Sequence, residues 1–216
     1  MARANKKPQL IEFKGTTLPV VSVTLHSLQT GPLTKAATRV RGTGERLAGI
    51  ASLFDGRDGN RPTLLLEADM IVPRQVRDDF DQPAEATATF LRYRVKLGLR
   101  QAEPEQAGQP LELLDEELRA LSLENAAKEL KFGPDKGWFK RFLKGPGSRT
   151  TPFIDTKEGA IQLWGDKGHG GRQTKIPASK SPQTVLSSVG AATHPTALAA
   201  RREMQSWRQL QLEPSA

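Results

Sequence analysis

Residues 88–100, ATFLRYRVKLGLR, form the clearest strand pattern in this chain. Apolar and charged residues alternate along it, and a period of two is typical of a β-strand with one buried face. The inward positions are Leu91, Tyr93, Val95 and Leu97. The stretch TLLLEADMI, residues 63–71, alternates in the same way. We expect the two stretches to pair as antiparallel neighbours, with Glu67 and Asp69 opposite basic side chains.

The sequence around these strands indicates a sheet with a polar excursion and two later elements. Residues 73–83 are bounded by prolines and are predicted to bulge from the sheet. LELLDEEL predicts a short strand at 111–114 and then an acidic helix, with Asp115 and Glu116 in its first turn. PFIDTKEGAIQLW, residues 152–164, predicts a hairpin that turns at 157–159. Residues 165–182 are predicted to form a loop rich in Gly, Lys and Pro.

Residues 194–216, HPTALAARREMQSWRQLQLEPSA, predict a C-terminal helix of about five turns. Thr193 or His194 is expected to cap it, and Pro195 suits the first turn. Its apolar stripe comprises Ala197, Ala200, Met204, Trp207 and Leu210. Because residues 212–214 turn the chain away, we expect this helix to begin a lobe that is cut short. Met204, Trp207 and Leu210 would then be partly exposed and would bind a second copy or a partner lobe.

The composition excludes several classes of protein. The chain has 216 residues, 37% of them hydrophobic, and contains no Cys, which rules out disulfides, thiolate catalysis and cysteine-ligated zinc. No apolar run approaches the roughly 20 residues that cross a bilayer, and no secretory leader follows the basic start. We expect a cytoplasmic protein with no membrane partner. The three histidines lie far apart in sequence and indicate no shared site.

The positive charge of the chain is concentrated in one region. Residues 136–180 carry ten Lys or Arg and three Asp or Glu, whereas residues 103–129 are acidic. KGWFKRFLKG, residues 136–145, mixes aromatic and basic side chains, as surfaces that stack bases and neutralise phosphates do. The candidate nucleic-acid-binding residues are Lys136, Trp138, Lys140, Arg141, Phe142 and Lys144. An amphipathic segment with its aromatic residues inward would show the same pattern.

The order of these elements resembles that of bacterial AAA-family ATPases of the RecF/SMC-like, ABC-type group. The similar stretches are residues 44–56, 64–81, 88–100, 111–121, 183–188 and 196–216. In that group the region lies between the phosphate loop and the signature motif, as an antiparallel β subdomain that leads into a helical lobe. The resemblance implies a family role in DNA-linked processes such as repair or defence. It also implies ATP and Mg²⁺ as cofactors of complete members.

This chain departs from the family in the residues that carry the chemistry. No GxxxxGK[ST] motif occurs, so no glycine arch with a following Lys cradles phosphates. LELLDEE, residues 111–117, imitates a Walker B strand, but Glu112 interrupts the apolar run. We therefore predict no catalytic, nucleotide-binding or metal-binding residue and no cofactor in this chain. ATP hydrolysis by the chain alone is not expected.

Together these observations predict an α+β fold, a mostly antiparallel β subdomain of an ABC/SMC-like ATPase lobe with a C-terminal helix. The expected division is an N-terminal segment 1–43, poorly matched to the family, a β subdomain with helical and basic insertions over 44–192, and the start of a truncated helical lobe over 193–216. Two alternatives remain open. One is a non-enzymatic basic nucleic-acid-binding module, and the other is a truncated reading frame without independent activity.

Overall fold

The computed structural model describes residues 12–13, 16–17, 28–29, 33, 63–100, 111–124, 136–167 and 174–207. The strands are β1 (Glu12–Phe13), β2 (Thr16–Thr17), β3 (Thr63–Ile71), β4 (Gln75–Arg77), β5 (Pro83–Glu85), β6 (Phe90–Leu99), β7 (Leu111–Ala120), β8 (Ile154–Lys157), β9 (Ala160–Leu163) and β10 (Thr174–Pro177). The α-helices are α1 (Lys136–Phe142) and α2 (Pro195–Ser206), and two 3₁₀ turns span Ala178–Lys180 and Leu186–Ser188.

One six-stranded sheet organises the described part of the chain. Its strand order is β10-β9-β8-β7-β6-β3, and every neighbouring pair is antiparallel. Strands β4 and β5 lie between β3 and β6 in sequence and form a separate two-stranded hairpin outside the six-stranded sheet. This agrees with the prediction that residues 73–83 bulge from the sheet. Mostly antiparallel sheet with few helices is an α+β architecture. The predicted fold class is confirmed at that level.

Strands β3 and β6 are antiparallel neighbours, as predicted, and all nine residues of β3 pair with β6. Asp69 lies opposite Arg92, and the guanidinium donates two hydrogen bonds of 2.6 Å to the carboxylate. Arg92 also lies 3.6 Å from Glu67. The inward residues of β6 are buried, as their alternation predicted. These charges therefore form a cross-strand ladder on the outer face of the sheet.

Strand β7 corrects the prediction of a short strand followed by a helix. The strand continues to Ala120, because it pairs with β6 from Leu111 onward. The register shifts once: Leu97 faces Leu113 and Lys96 faces Asp115, so Leu114 is an extra residue. Such a β-bulge moves the following residues by one position relative to the pleat. Glu116 is thereby turned into the core instead of lying in the first turn of a helix.

The main hydrophobic core lies on the face of the sheet to which β6 contributes Leu91, Tyr93, Val95 and Leu97. Its buried members come from the sheet, from residues near the chain start and from α2: Leu28, Leu33, Leu66, Tyr93, Val95, Leu113, Leu118, Phe153, Ile161, Leu186, Ala197 and Met204, among others. A smaller cluster on the opposite face joins Phe90, Leu121 and Leu143 to α1. The side chains of Phe90 and Leu91 point to opposite faces because they are consecutive in a strand. The sheet is thus covered on both faces at this end.

The predicted hairpin at residues 152–164 is confirmed as β8 and β9. Glu158 and Gly159 connect the strands with φ values of 52° and 71°. Two consecutive left-handed residues are the geometry of the tight turn that suits a twisted hairpin. Residues 165–182 are not entirely loop, because Thr174–Pro177 pairs with β9 as the edge strand β10.

Helix α2 begins at Pro195 as predicted, but neither candidate side chain caps it. The Asp166 carboxylate, from the loop after β9, accepts the Thr196 N–H at 3.2 Å. An anion there satisfies an N–H that lacks an intrahelical partner and lies at the positive end of the helix dipole. The Thr87 hydroxyl donates to the same carboxylate at 2.8 Å.

The apolar stripe of α2 faces the core of this chain. Met204 is fully buried, so it is not part of an exposed surface and the prediction for this residue is corrected. Trp207 lies at the end of the helix, is partly buried and donates to Glu203 at 3.1 Å. Leu210 lies outside the described residues, as do the predicted strand at 18–25, the helical stretch 125–130, His26 and His169.

Candidate functional site

The predicted basic segment forms the short helix α1, and its aromatic residues divide between core and surface. Trp138 and Phe142 lie with ring centroids 5.2 Å apart, and Trp138 meets Phe139 edge to face at 5.8 Å. Phe139 packs with Trp138 against the cluster of Phe90, Leu121 and Leu143, whereas half of the surface of Phe142 is exposed. The segment is therefore amphipathic, and its exposed edge still presents an aromatic side chain.

A cavity of about 570 Å³ opens beside this edge. We call it the aromatic pocket. Its lining residues are Ile71, Val72, Pro73, Arg74, Thr89, Trp138, Phe142, Leu143, Lys144 and Glu203. Two hydrogen bonds join lining residues of the pocket, since Thr89 donates its N–H to the carbonyl of Lys144 and accepts the Lys144 N–H at its hydroxyl. The lining combines six apolar side chains with four polar ones, from Arg74, Thr89, Lys144 and Glu203, and many ligand sites are clefts lined by both kinds.

The charged groups at the rim of the aromatic pocket are paired with one another. Glu85 lies 2.7 Å from Arg74 and 3.8 Å from Lys144. Hydrogen bonding and charge from Arg74 lower the pKa of the Glu85 carboxyl, so it stays ionised. Glu203 also lines the pocket, and its Oε1 accepts the indole N–H of Trp207 at 3.1 Å. The described rim thus holds both cations and anions.

The aromatic pocket brings together three of the six residues predicted to bind nucleic acid, namely Trp138, Phe142 and Lys144. The side chains of Lys136, Lys140 and Arg141 lie outside what the structure describes. Arg74 joins the site from the loop after β3, and no local sequence signal links it to α1. Nucleic-acid binding by this surface stays a prediction.

A second cluster of polar groups is buried in the main core around Glu116. This carboxylate lies opposite Val95 in the sheet and is fully buried. It accepts hydrogen bonds from the backbone N–H groups of Val185 at 2.7 Å and Leu186 at 2.9 Å. The Tyr93 hydroxyl donates to it at 3.0 Å. The carboxylate therefore ties two central strands to the loop that precedes α2.

Burial dominates the ionisation of this cluster. It raises the pKa of Glu116 from 4.5 to about 7, although the three hydrogen bonds favour the ionised form and oppose the shift. Burial and the nearby carboxylate also raise the pKa of Tyr93 well above its usual value, so the phenol stays protonated and acts as the donor. Glu116 is near the balance point between its two forms at neutral pH.

A perturbed carboxyl is a candidate general base when a reactant reaches it. Glu116 fails that condition, because its side chain has no exposed surface and both oxygens accept hydrogen bonds from within the chain. Its arrangement suits an anchor for residues 183–189. The sequence did not predict that Glu116 is buried, because the β-bulge at Leu114 depends on the pairing with β6 and cannot be read from the residues of β7 alone.

Metal-binding clusters and membrane-spanning helices are absent from the residues that the structure describes. They contain no group of three or more His, Cys, Asp or Glu side chains placed to hold a metal ion. None of their helices combines the length and the apolar character needed to cross a membrane. No protein-family model, no curated protein and no solved structure matches the chain.

Proposed function

We propose that the chain is a non-catalytic β lobe of the RecF/SMC-like, ABC-type ATPase group, with a role in DNA-linked processes such as repair or defence. One observation carries the proposal. Three of the stretches that resemble the family, residues 64–81, 88–100 and 111–121, contain β3, β6 and β7, which are adjacent strands of one antiparallel sheet. The stretch at 183–188 then leads into α2, as the order of elements in that group requires.

The described residues do not fit ATP and Mg²⁺. A phosphate loop needs consecutive backbone N–H groups at the mouth of a helix, followed by Lys and a hydroxyl. Gly145 and Gly147 precede no helix, and a Cβ at Gly165 would lie 3.2 Å from the carbonyl oxygen of Thr193, which is an acceptor and not a phosphate-binding N–H. The proposed role is therefore the contribution of a folded surface to a larger assembly, with no step of hydrolysis assigned to this chain.

Two measurements test the proposal. Calorimetric titration of the chain with Mg-ATP is expected to give no saturable heat, and a micromolar isotherm would contradict the non-catalytic role. An experimental structure should superpose strand for strand, in the order β8-β7-β6-β3 with α2 following, on the antiparallel β subdomain of a RecF/SMC-like ATPase. A different strand order in that region of the ATPase would overturn the assignment to the group.

A further inference from the structure

Strand β3 is an edge strand of the six-stranded sheet in the described part of the chain. All nine of its residues pair with β6, and no bulge interrupts the pairing. An edge strand exposes a row of backbone N–H and C=O groups that can pair with another strand. The sequence of β3, TLLLEADMI, contains neither Pro nor Lys, the residues with which proteins often block such an edge. Strand β3 is therefore long and regular enough to pair on its second side.

The backbone groups of every second residue of β3 point away from β6. Val72, which follows β3, donates its N–H to the carbonyl of Thr89, which precedes β6, at 2.9 Å. Because the direction of these groups alternates along an antiparallel strand, the backbone of Leu65, Glu67 and Asp69 points to the open side. No hydrogen bond reaches these backbone groups within the residues that the structure describes. The three residues thus present a ladder of donors and acceptors for an added strand.

The side chains beside this open ladder are an exposed leucine and an exposed carboxylate. Leu65 is 53% exposed, and the side chain of Glu67 is 41% exposed. Arg92 donates its two hydrogen bonds of 2.6 Å to Asp69 and lies 3.6 Å from Glu67. Arg94, which lies opposite Glu67 on β6, contacts a carboxylate of β7 at 3.4 Å. Of the two carboxylates that Arg92 contacts, Glu67 has the weaker contact and the greater exposure.

The other edge of the same sheet is protected. Strand β10 has only four residues, TKIP, and pairs with β9. Pro177 has no N–H to donate to a further strand, and the exposed Lys175 is a charged residue of the kind that protects an edge. The sheet therefore has one blocked edge and one open edge, and the open edge is β3.

We propose that the open edge of β3 binds an extended segment of another protein, which adds to the sheet as a further strand. Main-chain hydrogen bonds to Leu65, Glu67 and Asp69 supply the affinity, and alternate side chains of the segment supply the selectivity. A Lys or Arg opposite Glu67 is favoured by charge, and an apolar residue two positions away packs on Leu65. This inference goes beyond the ATPase-lobe proposal and does not depend on it.

The charge of Glu67 favours another protein over a second copy of this chain. Strand β3 contains two acidic residues and no basic one, so a second β3 sets no cation against Glu67 in any register. Antiparallel pairing centred on Glu67 would set two carboxylates opposite each other, which is destabilising. The predicted strand at residues 18–25 contains no basic residue either. Strand β10 of a second copy would bring Lys175, but it is short and contains Pro177.

A peptide titration of the full chain, followed by nuclear magnetic resonance of the backbone amides, tests the proposal. The probe is the acetylated and amidated peptide Thr-Ile-Thr-Lys-Thr-Ile-Thr, which sets Lys opposite Glu67 and Ile opposite Leu65 in either strand direction. The amide signals of Leu65, Glu67 and Asp69 should shift and saturate. The same peptide with Glu in place of Lys is expected to bind about 3- to 10-fold more weakly.

Variants of β3 separate strand addition from unspecific peptide binding. Leu65→Pro removes an N–H that the added strand requires and that the pairing with β6 does not use, so it should weaken binding at least ~10-fold. Glu67→Lys should reverse the preference, so that the Glu peptide binds more tightly than the Lys peptide. Glu158→Lys makes the same charge change in the turn between β8 and β9 and should leave both affinities unchanged.

Circular dichroism and urea denaturation check that each variant is folded. If Glu67→Lys is not folded, Glu67→Gln replaces it, and the two peptides should then bind with equal affinity. Hydrogen exchange gives an independent measurement on the wild type. The amides of Leu65, Glu67 and Asp69 should exchange at least ~10-fold faster than those of Leu66 and Ala68, which bond to β6.

Three results would overturn the proposal. The first is a wild type whose amide signals show no saturable shift up to the solubility limit of the Lys peptide. The second is a monomeric wild type in which Leu65, Glu67 and Asp69 exchange as slowly as Leu66, because the edge is then filled within the chain. The third is a wild type that dimerises and becomes monomeric in Leu65→Pro, which would assign the edge to a second copy.

Discussion

The hydroxyl oxygen of Tyr93 lies 3.0 Å from Oε1 of Glu116, and both side chains are completely buried. This hydrogen bond joins β6 to β7 inside the core, and the second oxygen of the same carboxylate holds the N–H of Val185. Buried polar groups are costly unless their hydrogen bonds are satisfied. The satisfied cluster is therefore specific to one arrangement of the two strands and the loop.

Replacing Glu116 by Gln removes an acceptor that a backbone donor requires. One oxygen of the Glu116 carboxylate accepts the Val185 N–H, and the other accepts the Leu186 N–H and the Tyr93 hydroxyl. An amide has only one oxygen, so in either orientation its NH₂ group would face at least one of these donors. We expect Glu116→Gln to lower the free energy of unfolding by about 1–3 kcal/mol. Urea denaturation measures the change.

Tyr93→Phe and the double variant complete a thermodynamic cycle for Glu116→Gln. Because Tyr93 and Glu116 are in direct contact, the two changes should be non-additive by at least about 0.5 kcal/mol. Additive losses would contradict a coupled cluster.

The raised pKa of Glu116 predicts a specific pH dependence of stability. The folded chain holds the proton up to about pH 7, whereas the unfolded chain releases it near 4.5. The folded state therefore binds more protons between these values, and the contribution to stability is full below pH 4.5 and is lost as the pH rises through 7. The expected loss is roughly 3 kcal/mol.

The pH experiment compares the wild type with Glu116→Gln, which lacks the titrating group. Urea midpoints at several pH values between 4.5 and 8 give both profiles, and other titrating groups contribute equally to each. The difference between the profiles should decline across this window. A constant difference would show that Glu116 does not titrate there.

Asp166→Ala is expected to destabilise the chain through α2. The change removes the acceptor of the Thr196 N–H, the Thr196 hydroxyl and the Thr87 hydroxyl. Loss of a helix cap costs typically about 1 kcal/mol, and each hydroxyl hydrogen bond that is lost adds up to a similar amount. Asp155→Ala is the control, because its carboxylate pairs at 3.5 Å with Lys157, whose side chain is 64% exposed, and such a pair is worth little. Thermal unfolding monitored by circular dichroism distinguishes the two variants.

The predicted nucleic-acid surface has its own test in a salt titration. If the basic segment binds DNA, replacing Lys140, Arg141 and Lys144 together by Ala should reduce the slope of affinity against salt, by roughly 0.7–0.9 per lost phosphate contact. Trp138→Ala should weaken binding of single strands more than of duplex, because stacking needs an exposed base face. Fluorescence anisotropy with labelled oligonucleotides gives both quantities.

The triple replacement of Lys157, Lys175 and Lys180 removes the same charge elsewhere and serves as the control. Equal slopes for the two triple variants would show that the basic segment makes no specific phosphate contact.

The sequence predicts β3, β6 and the β8–β9 hairpin because each is encoded locally. Alternation identifies the strands, and the Glu158–Gly159 pair identifies the turn. Strand β7 was mispredicted because its acidic composition is typical of a helix start, while the pairing that extends it comes from β6. The inward position of Glu116 depends on the unpaired Leu114, and a bulge is a property of two strands together.

The candidate site was predictable to the same extent. Trp138, Phe142 and Lys144 are close in sequence, so the basic and aromatic pattern finds them. Arg74 and Glu203 reach the aromatic pocket from distant segments, and only the fold brings them there. The capping of α2 by Asp166 was missed for the same reason, since capping patterns consider only residues next to the helix.

The bulge in β7 also bears on how this strand can change in length. Leu114 has no partner on β6, and its side chain occupies the space over Gly98, where an added Cβ would lie 3.0 Å from it. Deleting Leu114 would restore simple alternation and still leave Leu113 and Glu116 facing inward. A one-residue gap in a sequence alignment is therefore compatible with this fold at position 114, although a larger residue at position 98 would still meet Oε1 of Glu112 at 3.2 Å.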